Sequence, residues 1–72
     1  MVMKIKELDV VALLHDKPQA GLIQGQVGTV VESLGNTFHE VEFCDDDGKT
    51  YAMLAIDEKE LIVLHYSRNE AA

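Results

Sequence analysis

Residues 21–32, GLIQGQVGTVVE, constrain the fold most, because three glycines interrupt a segment that otherwise favours a β-strand. Gly21 and Gly25 bracket a predicted turn, whereas Gly28 lies within the strand that follows. A glycine inside a strand is typical of a sharp bend or of a place where another backbone comes close. We therefore expect this strand to curl, as the strands of a small closed sheet do.

Alternation within that strand places every second side chain on the same face. The two predicted sets are Val27, Thr29 and Val31, and Gly28, Val30 and Glu32. Upstream, residues 8–14 (LDVVALL) are nearly continuously apolar, which favours a first strand buried on both faces, with a helix as the alternative. Residues 15–21 (HDKPQAG) contain a proline and a glycine and predict a long first loop.

Residues 38–56 have the pattern of a β-hairpin. In FHEVEF, His39, Val41 and Phe43 alternate with acidic positions, so one face is predicted to join the core. The next residues predict a tight turn; they are Asp45, Asp46, Asp47 and Gly48. TYAMLAI, residues 50–56, predicts the returning strand, with Tyr51 and Met53 on one face and Thr50, Ala52, Leu54 and Ile56 on the other.

Residues 57–60 (DEKE) predict a single helical turn, and residues 61–65 predict a short last strand. This layout predicts an all-β fold, a small five-stranded SH3-like barrel with one short helical turn before the last strand. We expect a single domain over residues 1–66. Residues 67–72 are polar or small and predict a flexible C-terminal tail.

Acidic residues dominate the charge, since 13 Asp and Glu face 6 Lys and Arg, for a formal net charge of −7. Nucleic-acid binding is disfavoured, because it requires clustered Lys and Arg, and a basic protein is the favoured partner. The early apolar run is too short to cross a bilayer, so we expect no membrane association. A single cysteine excludes an internal disulfide and favours the cytoplasm.

No motif predicts catalysis, a cofactor or a metal. The DDDG segment lacks the glycine and the bidentate glutamate that an EF-hand requires at fixed positions. Cys44 and His39 are predicted to lie on opposite faces of one strand, and a lone cysteine is usually a small buried residue. The three histidines have no zinc-ligand spacing and are interpreted as structural. We therefore expect a non-catalytic protein without a cofactor.

The acidic residues of the hairpin form the candidate protein-binding site, namely Glu40, Glu42, Asp45, Asp46 and Asp47. A solvated surface that keeps a small domain dispersed is the alternative interpretation of the same residues. A second hypothesis is a structural or assembly subunit that self-associates through an exposed edge strand or through the loop residues Leu22 and Ile23.

Four segments together resemble a family of small bacterial proteins known as domain of unknown function 4926, namely LDVVALL, GLIQGQVGTVVES, HEVEFCDDDGKTYAMLAI and ELIVL. The resemblance covers roughly residues 8–64, and its most distinctive parts are residues 25–32 and 41–51. It implies an SH3-like barrel and no catalytic residues. Because some members are encoded beside toxin-like proteins, it also implies an antitoxin or immunity role toward a basic partner encoded nearby.

Residues 25–31 also resemble the KOW motif of ribosomal proteins, a short glycine-centred segment on a similar barrel. That resemblance implies an RNA-binding domain. KOW modules that hold RNA carry basic residues around the motif, whereas this chain has Glu32, Glu40 and Glu42. RNA binding is therefore a third hypothesis, disfavoured by the acidity.

Overall fold

The computed structural model describes residues 5–65 and shows an all-β chain with two short 3-10 helices in that range. The elements in chain order are β1 (Val10–Leu13), η1 (Pro18–Ala20), β2 (Val27–Leu34), β3 (Phe38–Cys44), β4 (Thr50–Asp57), η2 (Glu58–Glu60) and β5 (Leu61–Val63). All five predicted strands are confirmed, and so is the helical turn before the last one. The tail predicted at residues 67–72 lies outside the described residues.

The strands form one antiparallel sheet in the order β4-β3-β2-β1-β5. β4 and β5 are at the two ends of this order and do not pair with each other within residues 5–65. β5 has only three residues, and all of them pair with β1. Strand pairing therefore leaves the sheet open and does not by itself close it into the expected barrel.

The link between the two end strands shows that the open sheet is strongly curled. η2 contains three residues and leads directly from β4 to β5. The four residue steps from Asp57 to Leu61 reach at most about 14 Å. In a flat sheet, four strand spacings would separate β4 from β5 by about 19 Å. The sheet must therefore bend until its two end strands approach each other.

The concave face of the sheet forms the hydrophobic core. Val11, Val30, Val41 and Phe43 are completely buried there. The predicted core face of β3 is confirmed, because His39 is only 3% exposed and lies on the same side. The burial predicted for the first strand is confirmed at its centre, where three successive residues of β1 are buried, but both ends of the predicted residues 8–14 are exposed.

Gly28 lies where the core leaves no room for a side chain. It pairs with Val11 on β1, and its position on β2 is buried. A Cβ atom built there would be 2.7 Å from Val41 Cγ1 and 2.9 Å from the backbone oxygen of Glu42. The sequence prediction of a close approach at this glycine is therefore confirmed, and the neighbouring strand β3 is what approaches.

The first loop folds back on itself between β1 and β2. Lys17 and Leu22 exchange two backbone hydrogen bonds, of 2.8 and 3.0 Å, so residues 17–22 close into a compact turn around η1. Leu22 is thereby turned into the core and is 1% exposed, whereas Ile23 is 63% exposed. The prediction that both residues form an apolar contact surface is wrong for Leu22, because the turn uses it to cover the core.

The predicted turn glycines have backbone angles that favour glycine, since Gly21, Gly25 and Gly48 have φ values of 73°, 91° and 82°. Leu8 shares this unusual region, with φ of 74°, although it carries a side chain. It lies in a turn in which the Asp9 N–H donates to the Lys6 carbonyl at 3.1 Å.

Two β-bulges interrupt the alternation that the sequence predicted. On β2 the partner of Val30 is Val41 and that of Glu32 is Glu40, so Val31 is an extra residue. The second bulge, opposite residues 43–44, makes Tyr51 an extra residue of β4. Thr50 therefore pairs with Cys44 on the convex side, and the prediction that it shares a face with Ala52 is wrong. The expectation that Glu32 shares a face with Val30 is wrong, because the Val31 bulge turns Glu32 to the opposite side.

Candidate acidic binding face

The convex side of β2, β3 and β4 carries the predicted binding residues of β3. Glu40 and Glu42 are both half-buried there, as the alternation of β3 predicted. The bulge at Val31 brings Glu32 directly opposite Glu40. We call these three residues the acidic face: Glu32, Glu40 and Glu42. The sequence missed Glu32 as a site residue, because no simple alternation predicts a bulge.

The direct pairing of Glu32 with Glu40 is electrostatically unfavourable. Like charges facing each other across an antiparallel pair destabilise a sheet, by up to about 1 kcal/mol. The ion pairs formed within residues 5–65 involve other carboxylates, those of Asp9, Asp57, Glu58 and Glu60. Glu42 accepts a hydrogen bond from the Thr50 hydroxyl. The acidic face therefore carries negative charge that the described part of the chain does not neutralise with lysine.

Exposed apolar side chains flank the acidic face. Leu34 pairs with Phe38 next to the Glu32–Glu40 pair, and these two side chains are 38% and 46% exposed. Met53, which is 49% exposed, pairs with Glu42 on the other side. The surface is therefore mixed, with carboxylates between apolar groups. The charge pattern of the sequence did not predict its apolar part.

The three aspartates of the hairpin turn do not act alike. Asp45 Oδ1 accepts hydrogen bonds from the backbone N–H groups of Asp47 and Lys49, at 2.9 and 3.0 Å. Asp45 therefore holds the tight turn that the sequence predicted at residues 45–48. Asp46 and Asp47 are exposed at the end of the β3–β4 hairpin. The structure thus assigns a structural role to one of the five predicted binding residues.

A comparison with models of known protein families identifies the family of this chain. The model described as Domain of unknown function (DUF4926) matches residues 7–63. The chain belongs to the DUF4926 family. The resemblance inferred from the sequence motifs is therefore confirmed, and the matched span contains all five strands of the DUF4926 sheet and its acidic face. Neither a curated protein nor a solved structure matches the chain.

His39 of the DUF4926 domain is held from both sides of its ring. Its Nδ1 atom is 3.2 Å from Ser33 Oγ, and its Nε2 atom is 3.3 Å from Glu58 Oε1. The Glu58 N–H also donates to the Thr37 carbonyl at 2.7 Å. This chain of contacts fastens η2 to the β2–β3 hairpin. It is the kind of arrangement expected for a structural histidine, but neither partner was evident from the sequence.

A serine, a histidine and a carboxylate in one hydrogen-bonded chain raise the question of catalysis. A cavity of about 260 Å³ beside η2 is lined by Glu58 but not by Ser33 or His39. The imidazole is only 3% exposed, so little of the ring is open to a substrate. A nucleophile needs its base beside a space that a substrate can enter. The arrangement is therefore suited to holding the fold together.

Cys44 is exposed at the end of β3, and its Sγ atom is 3.8 Å from Thr50 Oγ1. The expectation of a small buried residue is wrong here, because alternation along β3 puts Cys44 on the convex side, opposite to the buried Phe43. Its placement away from the buried His39 agrees with the predicted opposite faces.

Among residues 5–65, no three His, Cys, Asp or Glu side chains are grouped so as to hold a metal ion. The helices of the same residues are all too short to cross a membrane.

Proposed function

We propose that this DUF4926 protein is a small, acidic, non-catalytic binding module whose acidic face binds a basic protein. The observation that carries the proposal is the Glu32–Glu40 pair, with Glu42 beside it on the same face. A fold gains nothing from placing two carboxylates opposite each other, whereas a cationic partner would turn this repulsion into attraction. The exposed apolar groups around the carboxylates supply the contact area that charge alone lacks.

Neutralising a basic partner is the role we propose for this binding, as an antitoxin or immunity protein does. The net charge of −7 supports rapid encounter with such a partner. We propose the cytoplasm as the place of action, which is consistent with an exposed, unpaired cysteine.

We further propose that the curled sheet is an SH3-like barrel that is partly open between β4 and β5. The strand order β4-β3-β2-β1-β5 and the position of η2 before the last strand support this fold. The short link between the end strands supports the curl. In such a barrel the convex side of the β2–β3–β4 segment is available to a partner.

The test is binding to the protein encoded next to this chain, measured by co-purification and calorimetry at low and high salt. The variant Glu40→Gln with Glu42→Gln removes two charges and keeps the side-chain size and one acceptor oxygen at each position. The control, Gln19→Lys with Gln24→Lys, changes the net charge equally at exposed positions of the first loop. We expect about tenfold weaker binding for the first variant and near-unchanged binding for the control. Equal affinities for both, or binding that is insensitive to salt, would contradict the proposal.

Self-association is a second candidate function, and the edge of β4, which no strand within residues 5–65 covers, supports it. Among its eight residues only Asp57 is charged, which is unusual for an edge strand. Light scattering at rising protein concentration tests this candidate, and a constant monomer mass would contradict it. RNA binding remains disfavoured, and titration with RNA at low salt is its test.

A further inference from the structure

The outer edge of β4 offers backbone groups that no strand of the described chain uses. β4 pairs with β3 along its whole length, from Asp57 opposite Phe38 to Thr50 opposite Cys44. It stands at the end of the strand order within residues 5–65, so alternate N–H and C=O groups face away from the sheet. Proteins normally block such an edge with lysine, proline or a bulge in mid-strand. β4 has neither lysine nor proline, and its bulge lies near its start.

The two sides of β4 continue two different surfaces up to this edge. On the core side, Ala52 and Leu54 pack against the core but are only partly buried. On the convex side, Ala55 lies opposite Glu40 and Met53 lies opposite Glu42. A strand added to the β4 edge would therefore lie next to apolar side chains on the core side. On the convex side it would lie in line with the carboxylates of the acidic face.

We propose that the β4 edge binds an extended segment of a basic protein, in which apolar residues alternate with lysine or arginine. This inference rests on the proposed function and names the kind of partner segment. The segment pairs its backbone with β4, places its apolar side chains over Ala52 and Leu54, and directs its cations across the convex side.

The small side chain at Ala55 makes the electrostatic part of this binding feasible. Adjacent strands are about 4.8 Å apart, so Glu40 on β3 lies about 9.6 Å from the backbone of an added strand. Ala55, which is exposed, lies between them and does not block the path. A lysine or arginine in that row can therefore extend over Ala55 toward the Glu40 carboxylate, with Glu32 behind it.

A second copy of the chain fits the same edge less well. Antiparallel pairing of two β4 strands would place two acidic faces side by side on one convex surface. Each copy carries a formal net charge of −7, so repulsion would oppose the pairing. Charge complementarity therefore favours a cationic strand over a second copy.

The test uses a synthetic peptide of about eight residues that alternates lysine and valine, matching the length of a strand. A second peptide of identical composition, with its lysines grouped at one end, is the control. Binding to the full chain is measured by calorimetry, and hydrogen exchange of the β4 amides is followed by NMR. We expect the alternating peptide to bind more tightly and to slow exchange at those β4 amides that do not donate to β3.

Two variants separate edge pairing from general attraction. Ala55→Lys places a positive charge in the path of the cation and is compatible with the fold, because the site is exposed and opposite Glu40. Gln19→Lys makes the same change in net charge at an exposed loop position. We expect at least about tenfold weaker binding for Ala55→Lys and less than about a twofold change for Gln19→Lys.

The outcomes distinguish this inference from the proposed function. Salt-dependent binding of both peptides without added protection of β4 would overturn edge pairing and leave the acidic face as the binding surface. Binding of neither peptide at low salt would overturn both. A dimer whose β4 amides are protected without peptide would show that a second copy takes the edge, and would overturn the choice of a basic partner.

Discussion

Replacing Gly28 by alanine tests whether close contact between β2 and β3 is what makes glycine necessary there. The added Cβ would lie 2.7 Å from Val41 Cγ1, 2.9 Å from Phe43 Cδ2 and 2.9 Å from the Glu42 backbone oxygen. Two of these atoms belong to completely buried side chains and the third to the backbone, so none can move freely. Overpacking of this kind costs about 1–3 kcal/mol.

An opposing effect must be subtracted from that cost. Alanine restricts the unfolded chain more than glycine does and so stabilises a strand by about 0.5–1 kcal/mol. We therefore expect Gly28→Ala to lower the free energy of unfolding by about 1.5 kcal/mol. In a domain of this size such a loss lowers the melting temperature by about 6–12 °C. Urea unfolding followed by far-UV circular dichroism measures the change, since the chain has no tryptophan.

A double-mutant cycle identifies the cause of the expected loss. Val41→Ala removes the closest contacting atom, Cγ1, so it should cost less in the Gly28→Ala background than in the original chain. We expect a coupling free energy of at least about 0.5 kcal/mol. If Gly28→Ala were as stable as the original chain, or if the two effects simply added, steric contact with β3 would not explain this glycine.

Three further substitutions test other parts of the structure, each by the same urea titration. His39→Ala should lower the free energy of unfolding by about 2 kcal/mol, because it leaves a cavity and removes both contacts that fasten η2; an effect below about 0.5 kcal/mol would contradict the structural role. Leu8→Gly should raise stability by about 0.5 kcal/mol, since it relieves the positive φ at a side chain that is 79% exposed; any loss of stability would show that Leu8 makes a favourable contact. Glu32→Gln should raise stability by about 0.5 kcal/mol at low salt, with a smaller gain at high salt, and should weaken binding to a basic partner; a destabilising effect would refute repulsion by Glu40.

The sequence was sufficient to predict where the strands lie and, for β3, which side joins the core. The alternation in FHEVEF placed His39 inside and Glu40 outside, because burial of one sheet face fixes the period of two. Gly28 predicted a close approach, because few other physical reasons place glycine in mid-strand. These features could be predicted because each one is determined by a local sequence pattern.

Features that depend on two distant segments were not predictable from local patterns. The local sequence does not show whether β2 or β3 contains the extra residue that forms the bulge at Val31. The alternation of β2 therefore placed Glu32 on the wrong face. The partners of His39 come from residues that only the fold brings together, Ser33 on β2 and Glu58 in η2.

The departures from ordinary sheet design lie close together on the same side of the molecule. Glu32 faces Glu40 across β2 and β3, and the next strand in that row is the edge β4, where Ala55 has no charge to protect it. Without a partner, repulsion between Glu32 and Glu40 lowers the stability of the domain, and the unprotected edge of β4 favours aggregation. A cationic strand seated on β4 would offset both at once, because its backbone would satisfy the edge and its cations would neutralise the row. A partner of the proposed kind would thus account for two unfavourable features that the stability of the fold does not explain.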